Sequence, residues 1–522
     1  MKWLLSLLGV LVVLLAATLF VRQRMVGAVA FQDDRVYVDL AVASHLNTAR
    51  TFGPEAGQPV PAVRDTLWRS LLAIGGGNGA VNPRVPLVLN FLSASALLVL
   101  VMLWQSGIPG PDWRRGLAGL LLLCASPLFS QALGGTSDLL AACLVMGAAM
   151  LQVRGFAPQG WPLPPGAAVL LGLAAWLRIE CVLWWPLFVA QAYLVSALGG
   201  TGRRSPVWLL MRALNGFLLM AILVAPLVAW NMRVVGVPWP QAPDGLALGA
   251  GTAPAAVSLV WDIVRQIPAS FSALHANGPL HLVLARVVFW LGMVSSARRV
   301  FRREADGGLL LPAVAYVGLP VLHALLVPWI GREGGALLFV AASPLWLPSL
   351  IEGCWFIART LVRSLRRAGV REDAWFTATR AAGVLAGVVI LWGLRDAGSV
   401  LREENFRLRR TEATRQQVLQ SLHGLSPKPQ RVATDQPGWM LSCGFRVVDL
   451  QAHLSPALLG VVAADGSLAP DSLAAFLSAR GADAVLLWGG GFDALRTPAQ
   501  AVRVSGEGAG EVYLGRFVSR RR

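Results

Sequence analysis

Charge is scarce in this sequence. Only 14% of its 522 residues are charged while 55% are hydrophobic, and the mean hydropathy is +0.59. Soluble chains carry roughly 25% charged residues, so this one lacks the polar surface to coat a water-soluble particle of its size. The three or four soluble domains that the length alone would suggest are thereby excluded, and the chain belongs in lipid. Lysine is nearly missing as well: Lys2 and Lys428 are the only two, so the net charge of +17 is carried by arginine. No stretch interleaves basic with aromatic residues, which argues against a nucleic-acid groove. The cysteines Cys124, Cys143, Cys181, Cys354 and Cys443 form no CxxC, and the histidines show no metal-ligand spacing. That excludes a disulfide framework and a zinc centre. A repeat of roughly 20 to 50 residues is also lacking, as is an inverted repeat.

What is present is a succession of apolar runs, each near the 20 residues needed to cross a bilayer. They lie at 4–21, 85–104, 116–133, 136–153, 165–179, 181–198, 207–230, 281–297, 309–329, 335–357 and 380–397, about eleven transmembrane helices in all. The first reads as a retained helix. Arg22 and Arg24 separate its apolar core from the small residues Ala28 to Ala30, where a signal-peptide cleavage site would follow closely. Arginines mark alternate connections: Arg114 and Arg115, Arg154, Arg203 and Arg204, Arg298 to Arg303, and Arg359 to Arg371. Positive loops stay in the cytoplasm, so the other set is expected outside: the long first loop 22–84, the links at Asp138 and Arg178, the loop 231–280 with Asp244, the link at Arg332, and the C-terminal region.

After residue 400 the text becomes mixed. Arg431 to Thr434, Phe445 to Leu450 and Ala484 to Trp488 read as strands, and Asp471 to Arg480 as an amphipathic helix. The expected division is a transmembrane module over 1–400 and a small soluble α/β domain over 401–522, outside the membrane. The glycine run at 488–492 reads as a turn.

Ionisable residues at a membrane edge are expensive and tend to be functional. Asp33, Asp34, Asp138, Arg178, Glu180 and Arg332 all fall on outward connections, so one outer site is the economical reading. Asp33 and Asp34 stand in FQDDRVYVDLAVASHLN. Adjacent side chains in extended backbone point apart, so one carboxylate is free for a reacting group while the other holds a loop or a cation. The alternative is an acidic cap for a helix over 35–48. Ser137 and Asp138 likewise open a helix, and Arg178 and Glu180, two apart, do not face each other on a helix. An arginine at that depth suits a phosphate or an interfacial anchor.

Taken in order, these segments resemble the multi-spanning GT-C-type glycosyltransferases that use polyprenyl-phosphate sugars outside the cytoplasmic membrane. The resemblance rests on the acidic pair with Tyr37, His45, Leu46, Asn47, Gly53, Pro61, Leu67 and Trp68, on GGTSD at 134–138, on RIEC at 178–181, on WNMRVVGVPWP at 230–240, and on the stretch from Val432 to Pro456. Asp65 and Thr66 depart from the pattern, as does Ile179.

The resemblance implies a GT-C-like polytopic helical fold and a hexosyl- or pentosyltransferase in the cytoplasmic (inner) membrane, with its site facing the periplasm or cell exterior. A polyprenyl-phosphate-linked sugar would be the donor, and a glycan, lipid or protein of the cell envelope the acceptor. It implies Asp33 or Asp34 as general base, Arg178 and Arg332 on the donor phosphate, and Tyr37, Asp138, Glu180 and Trp68 in support. No cofactor is required. A divalent cation, Mg²⁺ or Mn²⁺, on the acidic pair and Asp138 is compatible with phosphate chemistry and is not demanded. A lipid-linked saccharide flippase or transporter is the alternative from another class, as is a non-catalytic assembly subunit. A transporter would be expected to show paired broken helices with charges at mid-membrane.

Overall fold

A backbone in hydrocarbon finds no water to bond, so apolar runs of this length must pair their own amides as helices. In the computed structural model they do. It describes residues 2–27, 29–50, 52–53, 65–77, 79–106, 113–124, 126–156, 160–197, 204–235, 279–302, 307–330, 332–368, 378–425, 428–450, 470–488, 502–505 and 511–516. The expected spans fall on α1 (Lys2–Val26), α4 (Val85–Ser106), α5 (Trp113–Leu123), α6 (Ser126–Gly134), α7 (Asp138–Arg154), α8 (Pro165–Ala175), α9 (Trp184–Ala197), α10 (Pro206–Val235), α11 (Pro279–Phe301), α12 (Leu311–Ile330), α13 (Arg332–Arg367) and α14 (Ala378–Gly424). Two shorter helices, α2 (Asp34–Ala49) and α3 (Thr66–Gly76), lie in the first loop.

Two runs differ from expectation. The run at 116–133 is a pair of helices, α5 and α6, bent by 56°; Pro127 supplies no amide and disfavours helix in the residue before it, so the run breaks there. The run at 165–179 ends as a helix at Ala175, and a 3₁₀ turn at Ile179–Leu183 leads into α9. Residues 236–278, with Asp244 and much of the WNMRVVGVPWP segment, lie outside the described residues, as do Pro61 and the glycines after Trp488.

Burial separates two kinds of apolar surface. Trp68, Trp184, Phe31, Phe156, Phe188 and Phe289 are among the most deeply buried side chains of a core running through the helices. On α10, by contrast, Val207, Leu210, Met211, Leu214, Phe217, Leu218 and Ile222 are exposed at helical spacing. Large side chains left bare in this way, at about 25 cal/mol per Å² of apolar area, are stable only against acyl chains. α1, α4, the stretch 179–197 and α10 are each long and apolar enough to cross a bilayer.

α14 continues past its apolar segment to Gly424, and its Val418 and Leu422 share a second core with Trp439, Met440, Phe445 and Leu486. That core underlies a five-stranded sheet of order β2-β1-β3-β5-β4. β1 (Arg431–Thr434) is parallel to β2 (Arg446–Asp449) and to β3 (Ala484–Leu487), whereas β5 (Glu511–Arg516) runs antiparallel to β3 and to β4 (Val502–Ser505). The helices α15 (Pro437–Ser442) and α16 (Pro470–Ala479) connect the parallel strands.

Within the bundle α11 and α13 approach backbone to backbone. A Cβ on Gly292 would stand 1.7 Å from the Ser349 carbonyl oxygen, and one on Gly353 would stand 1.9 Å from that of Val288. Small residues that admit such contact are the usual glue between helices in lipid. Gly353→Val is therefore expected to prevent this docking at a cost of about 3 kcal/mol or more. The readout is the yield of monodisperse protein in detergent together with its Tm; wild-type values for both would show that the approach is dispensable.

Candidate active site

The first loop re-enters helix at Asp33, whose backbone is extended (φ −80°, ψ 122°) and whose carboxylate accepts the Arg35 amide at 2.9 Å. It is thus the N-cap of α2, and its second carboxylate oxygen is left over for other work. Asp34, one residue on, points elsewhere. Its Oδ2 accepts the Gly438 amide at 2.8 Å and its Oδ1 the Trp439 amide at 2.7 Å, so it caps α15 of the C-terminal sheet region. Burial pushes the Asp34 carboxyl up to about 7 against the pull of these amides and of Arg415. Tyr37, on the next turn of α2, accepts the Phe31 amide at 3.0 Å and Arg415 Nη1 at 3.3 Å through its hydroxyl. Burial raises its phenol.

A second cluster forms beneath the start of α7. Arg178 is buried and gives both Nε (3.1 Å) and Nη2 (2.8 Å) to Asp138 Oδ1. Its Nε also lies 4.0 Å from Asp65 Oδ1, which accepts the Ser137 hydroxyl. The two motifs that sequence order keeps forty residues apart therefore meet as an ion pair. The meeting depends on Asp65, which stands in the left-handed region (φ 60°) just before α3. Such backbone is rare for a residue with a side chain and persists only where its surroundings enforce it. Here the Asp65 amide donates to Leu177 O (2.9 Å) and the Leu67 amide to Trp176 O (3.1 Å), pinning the loop to the turn that carries Arg178. Burial alone would raise Asp65, but Arg178, Arg69 and Ser137 outweigh it and hold its carboxyl below the usual carboxylate range. Asp39 ion-pairs with Arg69 at 2.7 Å, and burial nevertheless pushes its carboxyl up to about 7. Glu180 is buried beside this cluster and adds to the field at Arg178, and Trp68 is packed in the core.

Between the clusters opens a cleft of about 310 Å³, lined by Arg22, Gln32, Asp33, Ser130, Gln131, Gly134, Thr136, Asp138 and Glu404. Asp33 and Asp138 both face it; Asp34 is not among its walls. Thr136 donates to Asp138 Oδ2 at 3.0 Å, and Gly135, with φ 78°, makes the turn that brings Thr136 there. Arg22, from the end of α1, donates to Leu133 O (2.7 Å) and Ala30 O (3.0 Å). Glu404, from α14, accepts the Ser130 hydroxyl at 2.5 Å. Arg332 is the first residue of α13, and its side chain lies outside the described residues.

The donor set does not favour a cation on the acidic pair plus Asp138. Asp34 spends both oxygens on amides and Asp138 Oδ1 is held by Arg178. Among the described residues no three acidic, histidine or cysteine side chains gather as a metal site.

Arg178 is the group on which this arrangement turns. Its removal leaves Asp138 and Asp65 buried without their cation, so Arg178→Ala is expected to cost about 3 to 5 kcal/mol and to lower the Tm of the detergent-solubilised protein. A double variant Arg178→Ala/Asp138→Ala should recover part of that loss, and failure to recover any would place the effect outside the pair.

No family model and no curated protein matches the chain. Solved structures do. The fold is similar to that of ArnT from Cupriavidus metallidurans bound to undecaprenyl phosphate, at 13% identity and a TM-score of 0.51, over 98% of each chain. It is similar also to the apo oligosaccharyltransferase of Archaeoglobus fulgidus, at 14% identity and a TM-score of 0.52, over 93% of this chain and 69% of that one. The same enzyme tethered to an acceptor peptide with an NVT sequon gives 14% identity and a TM-score of 0.50. Across nearly its whole length, then, the chain has the GT-C-type fold that its motifs resemble: a helical membrane bundle with a small C-terminal α/β sheet.

Proposed function

We propose that the protein is a membrane glycosyltransferase that moves a hexose or pentose from a polyprenyl-phosphate donor to an acceptor hydroxyl or amide of the cell envelope. Its site and C-terminal domain would face outward from the cytoplasmic membrane. The observation that carries the reading is the cleft that Asp33 lines together with Asp138 and Arg22, beside apolar helices along which a lipid-borne substrate would arrive without leaving the bilayer. It is supported by the likeness to a structure that holds undecaprenyl phosphate and to one tethered to an acceptor peptide.

The chemistry assigned to the cleft is an inverting displacement. Asp33 takes the proton of the acceptor group as that group attacks the anomeric carbon; the bond from that carbon to the phosphate oxygen breaks, and polyprenyl phosphate leaves with the electron pair. Of the two adjacent aspartates, Asp33 is the base in this reading because Asp34 is engaged by the Gly438 and Trp439 amides. Charge grows on the departing phosphate. Arg22 on the cleft wall and Arg178 behind Asp138 supply opposing charge, and Arg332 is assigned the same role on the family resemblance alone. Removing one such donor costs about 2.7 to 4 kcal/mol in comparable anion sites. Arg178 acts through Asp138, which it holds by two hydrogen bonds.

The test is transfer from a radiolabelled polyprenyl-phosphate sugar by purified protein in nanodiscs. Asp33→Asn keeps an N-cap, since asparagine caps as well as aspartate, but cannot take a proton. Its kcat is expected to fall by about 10²- to 10⁴-fold at unchanged Tm. Wild-type turnover in this variant would overturn the assignment.

A further inference from the structure

Arg415, near the end of α14, is fully buried, and the proposed chemistry makes no use of it. Its Nη1 donates to the Phe31 carbonyl at 2.9 Å and to the Tyr37 hydroxyl at 3.3 Å. The guanidinium carbon lies 5.1 Å from the centre of the Tyr37 ring and 5.6 Å from that of Trp439. Glu412, one turn back, supplies a carboxylate at 3.6 Å. Nε and Nη2 are buried without a hydrogen-bond partner among the described residues. A guanidinium buried on such terms is a poor way to gain stability, because an apolar side chain of similar volume is often neutral or better.

What the arginine holds is the chain just before Asp33. Phe31 gives its carbonyl to Arg415 and its amide to the Tyr37 hydroxyl, so both of its backbone groups end on one unit. The Phe31 ring seats against Gly135, where an added Cβ would stand 2.6 Å from it, in the turn between the cleft residues Gly134 and Thr136. On the other side of Asp33, Asp34 is fixed by the amides of α15. α15 comes that close only because residue 438 has no side chain: a Cβ there would stand 2.4 Å from the Asp34 carbonyl oxygen and 2.5 Å from the Val38 amide. Asp33 thus lies between Phe31, two residues back, and Asp34, each anchored to the C-terminal region.

We infer that the C-terminal α/β region clamps the first loop, with Arg415 as a positioning residue for Asp33 and with Asp34 and Gly438 as the second jaw. The inference rests on the reading of Asp33 as the base. In that role a misplacement of the carboxylate by about 1 Å costs on the order of 10²-fold in rate.

Arg415→Met in the full chain separates positioning from stability. With the clamp, its Tm stays within a few degrees of wild type, kcat for polyprenyl-phosphate sugar falls at least tenfold, and the donor KM changes less than twofold. Arg415→Lys, which keeps one donor for the Phe31 carbonyl, recovers part of kcat. Asp33→Asn/Arg415→Met is no slower than Asp33→Asn alone, since both act on one group. Amide hydrogen exchange over residues 29–37 speeds at least tenfold in Arg415→Met, a readout that needs no turnover. Unchanged exchange with kcat within twofold of wild type would overturn the clamp, as would additive losses in the double variant. Should wild-type protein transfer no sugar, the reading of Asp33 fails while the exchange result still decides whether Arg415 holds the loop. If Arg415→Met does not fold, Tyr37→Phe, which removes the hydroxyl shared by Arg415 and Phe31, carries the same expectations.

Discussion

A buried ion pair fixes how three distant segments of this molecule stand relative to one another. Arg178 sits at the break between α8 and α9, Asp138 at the head of α7 and Asp65 at the head of α3. A charge withdrawn from water costs several kcal/mol unless it is met at close range by its opposite. The three segments therefore have one arrangement in which none of them is penalised. Once they adopt it, Thr136 and Asp138 are presented to the cleft, and the first loop is left to deliver Asp33 to its lining. The helices in lipid could slide past one another at small cost, since acyl chains and leucine side chains are alike in polarity. Directional contacts of this kind, together with the glycine-mediated approach of α11 and α13, remove that freedom.

Much of the architecture was legible because a bilayer imposes a length and a composition on whatever crosses it. The runs at 85–104 and 207–230 announce α4 and α10 without help from any other part of the chain, and β1, β2 and β3 follow from short β-branched runs between turn residues. The break inside 116–133 was written in Pro127, but a single proline in an apolar run is as compatible with a kinked span as with two helices. β4 and β5, with their alternating Val502-Arg-Val and Glu511-Val-Tyr-Leu, carried a period-2 signal that the surrounding glycines obscured.

The candidate site was legible in part. Asp33, Asp138 and Arg178 stood out because ionisable residues beside apolar runs are conspicuous. That Arg178 and Asp138 choose each other was not, since nothing in the linear text ranks Asp138 above Glu180 as the partner of that arginine. Asp65 was passed over as a departure from the family pattern, although its place directly before α3 made it a candidate to bond whatever the loop touched. Glu404 and Arg415 were hidden differently: they belong to LREENFRLRR and its continuation, text that looks like the solvated surface of any charged helix. Their partners lie hundreds of positions upstream, Arg415 being 384 residues from Phe31. Side-chain pairing over such separations is a product of the fold and leaves no local periodicity behind.

The continuity of α14 has a mechanical corollary. It is one helix of 47 residues, about 70 Å long at 1.5 Å per residue, packed on other helices of the bundle along part of its length and in the core of the sheet at its end. A lever of that kind converts a small change of inclination at the root into a large sweep at the tip. Its inclination is set by the helices it packs against, α13, α6 and α1, so a rearrangement among them is carried along its length to Phe31 and Tyr37, which Arg415 holds.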